Sequence, residues 1–406
     1  MMRKLILLPV LLLIFGCNLN RPDPLLEGVW RAELQLTDTE VLPFNFEVTS
    51  PNSLKVFNGE EVIMVTEINY SNDTIVIQMP FFEGYIESVV KDGLLKGNFI
   101  KESLDRVVPF SAELGKQTRF DLKTNTAKQE VTGNWETVFS PDSEEDKYIA
   151  KGVFKQIGNQ VTGTFRTTTG DYRYLEGVMD GNIMKLSAFD GAHAFLFSAE
   201  VNDSIMNGMF YSGNHWKEPF TAKRNENYEL PNANGLTFLN EGYDTVEFTF
   251  PDSEGNEISL SDQRFKNKVV VVQIMGTWCP NCLDESKYYS EFYNSNSEKD
   301  IEFVALAFEY AKTKDKAFSS INRLKDDVGI QYPILLAQYG TSSKFKAQEK
   351  LPMLNYVLSY PTSVFIDKKG KVRKIHTGFN GPATGEKFTE FKSEFTGFIS
   401  ELLLEE

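Results

Sequence analysis

Val269-Val270-Val271-Val272-Gln273-Ile274-Met275-Gly276-Thr277-Trp278-Cys279-Pro280-Asn281-Cys282 is the stretch on which the reading of this chain turns. Apolar and β-branched residues surround a single Gln, the pattern of a strand buried on both faces of a mixed sheet. Gly276 and Thr277 break the run, and two cysteines follow with two residues between them. Leu283, Tyr289 and Phe292, spaced through a polar stretch, predict a helix that starts at the cysteines. Pro280 suits its first position, where a missing N–H is no loss. Cys279 then stands where free backbone N–H groups and the positive end of the helix dipole favour a thiolate. The pattern is that of a redox site.

Around this stretch, residues 236–406 alternate strands and helices. Strands are expected at 246–250, 257–260 and Ile301–Phe308, with a turn at 253–256 and Ser261-Asp262 as a cap. Phe318, Ile321, Leu324 and Val328 recur at helical spacing, as do Phe388, Phe391, Phe395, Phe398 and Leu402. Asp367-Lys368-Lys369-Gly370 separates two strand-like runs and places Gly370 for a positive φ.

Residues 27–224 read differently. Runs such as 74–79 and 161–166 alternate with the period of half-buried strands, and Asp-Gly at 92–93 and 180–181 mark turns. A repeat lies inside this region. Gly28-Val29-Trp30 is echoed by Gly133-Asn134-Trp135, Gly97-Asn98-Phe99 by Gly208-Met209-Phe210, and Pro109-Phe110-Ser111-Ala112 by Pro219-Phe220-Thr221-Ala222, at offsets of 105, 111 and 110. Two β units are expected, as paired sandwiches or as halves of one closed barrel. The Trp opening each unit is expected to plug a core. No nucleophile–base pair or phosphate loop occurs here, so a structural or partner-positioning role is expected. Residues 225–235 are polar and loop-like and serve as the linker.

The first residues read as an export signal. Arg3 and Lys4 precede an apolar run from 5 to 15, too short to span a bilayer. It ends in Ile14-Phe15-Gly16-Cys17, which resembles a bacterial lipobox with cleavage before Cys17 and acylation of its sulfur. A leader at 1–16 and a polar tether at 17–26 follow, with Asn18 pointing to an outer-membrane rather than an inner-membrane address. The 406 residues carry a formal charge of −15, and −17 once Arg3 and Lys4 leave with the leader. Such a surface disfavours nucleic acid and anionic lipid.

There are 3 cysteines, and lipid on Cys17 leaves Cys279 and Cys282 alone. No disulfide framework is available, so stability must come from the cores. A zinc site needs four ligands, and neither a second CxxC nor a closely spaced His pair is present. His193, His215 and His376 read as ordinary strand or turn residues.

Residues 246–406 resemble the TlpA/ResA type of thioredoxin-like protein, membrane-associated thiol–disulfide oxidoreductases of the bacterial envelope. The resemblance rests on Phe250-Pro251-Asp252, Ser259-Leu260-Ser261-Asp262, Trp278-Cys279-Pro280-Asn281-Cys282 and Tyr360-Pro361-Thr362. It implies that Cys279 is the more exposed nucleophile and Cys282 the buried resolving thiol. It implies also a cis-Pro361 facing the pair, Tyr360 offering main-chain groups to an extended substrate, and Trp278 shielding Cys279. Two departures stand out. Gln273 occupies the position of a buried proton-relaying carboxylate in many thioredoxins, and Gln cannot take that proton. Glu309, after the next strand, is the carboxylate expected to stand near the site. Pro361 also follows Cys279 by 82 positions, so extra chain is expected at 310–328 and 338–356. A peroxiredoxin would need Ser or Thr three residues before its cysteine, where Gly276 stands.

The expectation is a multidomain chain, an all-β barrel or sandwich region followed by an α/β thioredoxin-like domain. Its function is expected to be that of a lipid-anchored, periplasm-facing thiol–disulfide oxidoreductase, without cofactor or metal, that reduces a partner protein's disulfide and is recharged by an envelope electron donor. The alternative is a binding lipoprotein in which the β region carries the main function.

Overall fold

The computed structural model describes residues 24–71, 73–124 and 126–405; the expected leader, Cys17 and the start of the tether lie outside the described residues. The two β units form neither paired sandwiches nor halves of one barrel. Each rolls up its own nine-stranded antiparallel sheet. In the first, Gly28–Gln35 pairs with both Val41–Ser50 and Arg106–Leu114, and the seam falls between Glu61–Val65 and Glu67–Ser71. In the second, Gly133–Phe139 pairs with both Tyr148–Ile157 and Trp216–Arg224, and Tyr148–Ile157 continues to Gln160–Thr167, so the ring closes. Successive hairpins make most of these pairings and the first and last long strands of each unit pair with one another, and in the second unit ring closure removes the exposed edges.

The repeat is visible in atomic detail. Trp30 and Trp135 are both fully buried, and each indole Nε1 donates to the carbonyl four residues back, Leu26 at 3.0 Å and Val131 at 2.9 Å. Burial thus leaves neither indole N–H without a partner. Gly97 lies opposite Phe110 and Gly208 opposite Phe220 on the neighbouring strand. A side chain at Gly208 would approach the Phe220 ring to 2.5 Å, so the echoed glycine makes room for the echoed phenylalanine.

The third domain is a mixed five-stranded sheet in the order Ile334–Gln338, Ile301–Phe308, Val269–Met275, Thr362–Ile366, Val372–Thr377. Around it lie α1 (Pro280–Asn294), α2 (Lys314–Val328), α3 (Lys344–Lys350) and α4 (Glu386–Leu404). Val269–Met275 is central, parallel to Ile301–Phe308 and antiparallel to Thr362–Ile366, and every one of its residues is buried. Its near-continuous apolar composition follows from that position. The strand expected at 246–250 is shorter and later, Thr249–Pro251 against Glu257–Ser259. Val246 and Phe248 are buried in the core but precede the ladder. The described residues 310–356 hold α2, the edge strand Ile334–Gln338 and α3.

Both barrels touch this domain. Phe81 N of the first donates to Asp327 at 2.9 Å, and Lys316 reaches Glu102 at 3.2 Å. From the second, Arg166 Nε donates to Asn380 at 3.1 Å, and Thr169 O accepts from Ser359 Oγ at 2.9 Å.

Candidate functional site: a dithiol under a barrel

The turn after Val269–Met275 delivers Cys279 to the N-cap of α1, with Pro280 in the first turn as its fixed φ allows. Cys282 N donates to Cys279 Sγ at 3.2 Å, so the sulfur takes one of the helix's free N–H groups. A negative sulfur gains from that bond and from the helix dipole. On its other side Cys279 Sγ lies 3.4 Å from Tyr360 O, and the Tyr360–Pro361 peptide is cis. Cys279, Cys282, Tyr360 and Pro361, far apart in sequence, thus share one site. Trp278 flanks them, its Nε1 donating to Phe308 O at 2.9 Å and its ring set edge-on to Tyr360 at 5.6 Å.

Cys282 is fully buried one turn into α1. Burial pushes its thiol pKa well up, helped by the contact with Cys279 and by the charge of Glu285. Glu285 was missed in the sequence. It is completely buried, accepts from Gln273 Nε2 at 2.8 Å, Ser363 Oγ at 3.0 Å and Tyr289 OH at 3.2 Å, and burial raises its pKa to about 7 against those bonds. Gln273 Nε2 also lies 3.5 Å from Cys282 O, and Gln273 Oε1 accepts from Ser286 Oγ at 3.1 Å. Gln273 therefore holds α1 and its carboxylate against the central strand. A buried carboxylate thus stands against the Gln273 side chain from α1, with no cysteine among its hydrogen-bond partners. Helical spacing was the available signal, since residues 282, 285 and 289 fall on one face.

Glu309 is buried rather than solvated, but both its hydrogen bonds go to Thr277, from N at 2.8 Å and Oγ1 at 2.7 Å. Burial lifts its pKa to about 7 as well. Neither cysteine is among its hydrogen-bond partners; it braces the turn that leads into the motif.

Cys279 is the more exposed thiol of the pair, at 7% against 0% for Cys282, and it opens on a cavity that Thr167, Gly170 and Tyr172 of the second barrel also line. A side chain at Gly170 would come within 2.4 Å of Asn281 Nδ2. Arg173, buried in the same segment, donates to Pro280 O at 3.2 Å and to Asp284, while Glu61 of the first barrel and Asp190 also bind it. One guanidinium, with its planar fork of donors, thereby joins all three domains at the dithiol motif. Asp171 beside it accepts from Gly381 N at 2.7 Å; burial and the neighbouring Asp284 raise its pKa to about 6. His193 and His215 line the space beside Trp278, while His376 bonds Asn234 at 2.8 Å on the far strand. Among the described residues no group of three or more His, Cys, Asp or Glu is placed to hold a metal ion, and no helix is long and apolar enough to cross a membrane.

Residues 241–391 match the family model described as Redoxin. The chain is similar to the thiol-disulfide oxidoreductase ResA of Bacillus thuringiensis subsp. konkukian (strain 97-27), 29% identical over 155 residues that make up 38% of this chain and 78% of the relative. It is similar also to the thioredoxin-like protein YneN of Bacillus subtilis (strain 168), 26% identical over 140 residues, 34% of this chain and 73% of that one. Among solved structures, a putative protein disulfide isomerase from Bacteroides thetaiotaomicron shares 18% identity with a TM-score of 0.32, covering 43% of this chain and 95% of its own.

Proposed function

We propose that this chain, whose C-terminal region is a Redoxin domain of the ResA-like, thioredoxin-fold kind, is an envelope lipoprotein that reduces disulfides through Cys279 and Cys282. The observation that carries the reading is Cys279 Sγ at the N-cap of α1, 3.4 Å from Tyr360 O, with Cys282 buried one turn below. Cys279 as thiolate attacks one sulfur of a substrate disulfide, forming a mixed disulfide and releasing the other sulfur as a thiolate that is protonated by water. Cys282 gives its proton to Glu285 and attacks Cys279 Sγ. The Cys279–Cys282 bond forms, the second substrate thiolate leaves, and two electrons have passed to the substrate. A dithiol donor of the envelope must then restore the pair. Tyr360, beside cis-Pro361, supplies main-chain groups for an extended substrate, and Trp278 limits solvent access. The β region is read as a cover and positioning module for this chemistry; the contact of Arg173 with Pro280 O favours that over an independent binding lipoprotein.

Reduction is proposed as the direction on the likeness of residues 241–391 to ResA-like proteins, and the redox potential of the pair tests it. Equilibration of the pair with dithiothreitol buffers is expected to give a potential below about −200 mV. A value near −120 mV, about that of the strong oxidants, would make the protein an oxidase.

Cys17 is proposed as the lipid anchor, facing the periplasm from the outer membrane. Cys17→Ser is expected to move the protein from the membrane to the soluble fraction of lysed cells; retention with the membrane would count against the anchor.

A further inference from the structure

The covered nucleophile leaves a defined approach. Beside Cys279, Pro280 and Tyr360 lies a cavity of about 320 Å³, and it shares Tyr172, His193, Phe195 and Trp278 with a larger one of about 500 Å³. The larger cavity lies where the two barrels meet the third domain. It is within the size range of ligand sites, with Phe99, Val108, Phe210 and Trp216 forming apolar walls.

Two cations line it, Lys101 and Arg106 of the first barrel. Lys101 is buried, its ammonium donating to Ala192 O at 3.0 Å and lying 5.9 Å from the centre of the Tyr310 ring. That ring is in turn 5.6 Å from the ring of Trp278, the neighbour of Cys279. Arg106 makes no side-chain hydrogen bond or salt bridge among the described residues, and neither does Lys101 make a salt bridge. The acids near them are Glu83, which faces both Lys101 and Tyr310, and Asp190, which is already engaged by Arg173 and His193. His215, on the same wall, is pushed down to about 4 by burial and by Arg106, Lys101 and His193. The protein as a whole is strongly acidic, at −15. Two cations without a salt-bridge partner beside apolar walls run against that background and favour an anion there.

We propose that this cavity is a specificity pocket for an acidic residue flanking the disulfide of an extended peptide segment, with Arg106 and Lys101 binding the carboxylate while the substrate sulfur reaches Cys279. The proposal rests on the dithiol reading above and adds the substrate class to it. A folded protein cannot lay a surface on Cys279 beneath the Thr167–Tyr172 turn, whereas an extended segment of a few residues, at about 3.3 Å each, can enter.

Two synthetic peptides test this, identical but for Glu or Gln beside a single Cys that is activated as its mixed disulfide with thiopyridine. The reduced full-length protein is mixed with each, and thiopyridone release gives the rate in a single turnover, so no recharging donor is needed. In each reaction Cys279 displaces thiopyridone or peptide thiolate, Cys282 closes the protein disulfide, and the two electrons appear as two free thiols. The Glu peptide is expected to react about tenfold faster than the Gln peptide, with the advantage falling to less than about threefold in Arg106→Gln and in Lys101→Gln. In the unaltered protein the advantage is also expected to shrink at high salt, a measurement that stands if either variant fails to fold. Equal rates for the two peptides, or an advantage untouched by both the variants and salt, would overturn the pocket while leaving the dithiol chemistry intact. Absence of thiopyridone release from either peptide would overturn the dithiol reading itself.

Discussion

Cys279→Ser is expected to lower the rate of disulfide reduction by at least about a thousandfold, because a serine hydroxyl is not ionised near neutral pH and cannot form the mixed disulfide. Cys282→Ser is expected to behave differently. Its first step remains, since Cys279 keeps the backbone N–H of residue 282 at 3.2 Å and the helix end on which it sits. The reaction then halts with the substrate bound, because the Cys282 thiol that would release it is gone. Stopped-flow rates of the two variants against one disulfide peptide check this: a burst of a single equivalent for Cys282→Ser, and none for Cys279→Ser.

The second large effect is expected at Glu285. Its pKa of about 7, raised by burial, sets the sign. Below that pH the group is protonated and cannot take the proton of Cys282; above it the carboxylate can. Resolution of the mixed disulfide is therefore expected to accelerate from pH 6 to pH 8. Glu285→Gln removes the acceptor, leaving that step about a hundredfold slower at pH 8 and flat across the window. Gln273→Ala, which withdraws a donor from the same carboxylate, would by the same logic move the inflection upward without abolishing it. Burial also has a thermodynamic consequence. The folded state holds the Glu285 proton more tightly than the ordinary value of 4.5 allows, so this group's contribution to stability is present below that value and is lost as pH rises through about 7. Denaturation midpoints at pH 6 and pH 8 separate the loss of stability from the loss of rate. A Glu285→Gln variant that resolves the mixed disulfide as fast as the parent at pH 8 would exclude Glu285 as the acceptor.

The parts of this site that were legible in the sequence are the local ones. A strand, a break and a CxxC at a helix start follow from residues next to one another, and Tyr360-Pro361-Thr362 before its hairpin carries its own backbone constraint. The echoed Trp30 and Trp135 likewise mark equivalent plugs in two barrels. How those units close was not legible, since alternation fixes the faces of strands but not which strands meet. Glu285 lay in plain sight three residues after Cys282. It escaped because a Glu in a polar helical stretch is ordinarily solvated, and only the strand residues Gln273 and Ser363, brought in by the sheet, make it a buried partner. The cover over Cys279 was beyond reach for another reason. Arg173 and Asp284 lie 111 positions apart in different domains, and their meeting depends on how domains dock. The same holds for the cationic cavity, whose walls come from three domains.

The central claim is that one sulfur attacks and the other releases. Its most direct test is the intact mass and peptide map of each variant after exposure to a disulfide peptide. The account predicts a stable peptide adduct on Cys279 in Cys282→Ser and no adduct on Cys282 in Cys279→Ser. Comparable adducts in both variants, or an adduct confined to Cys282, would contradict it.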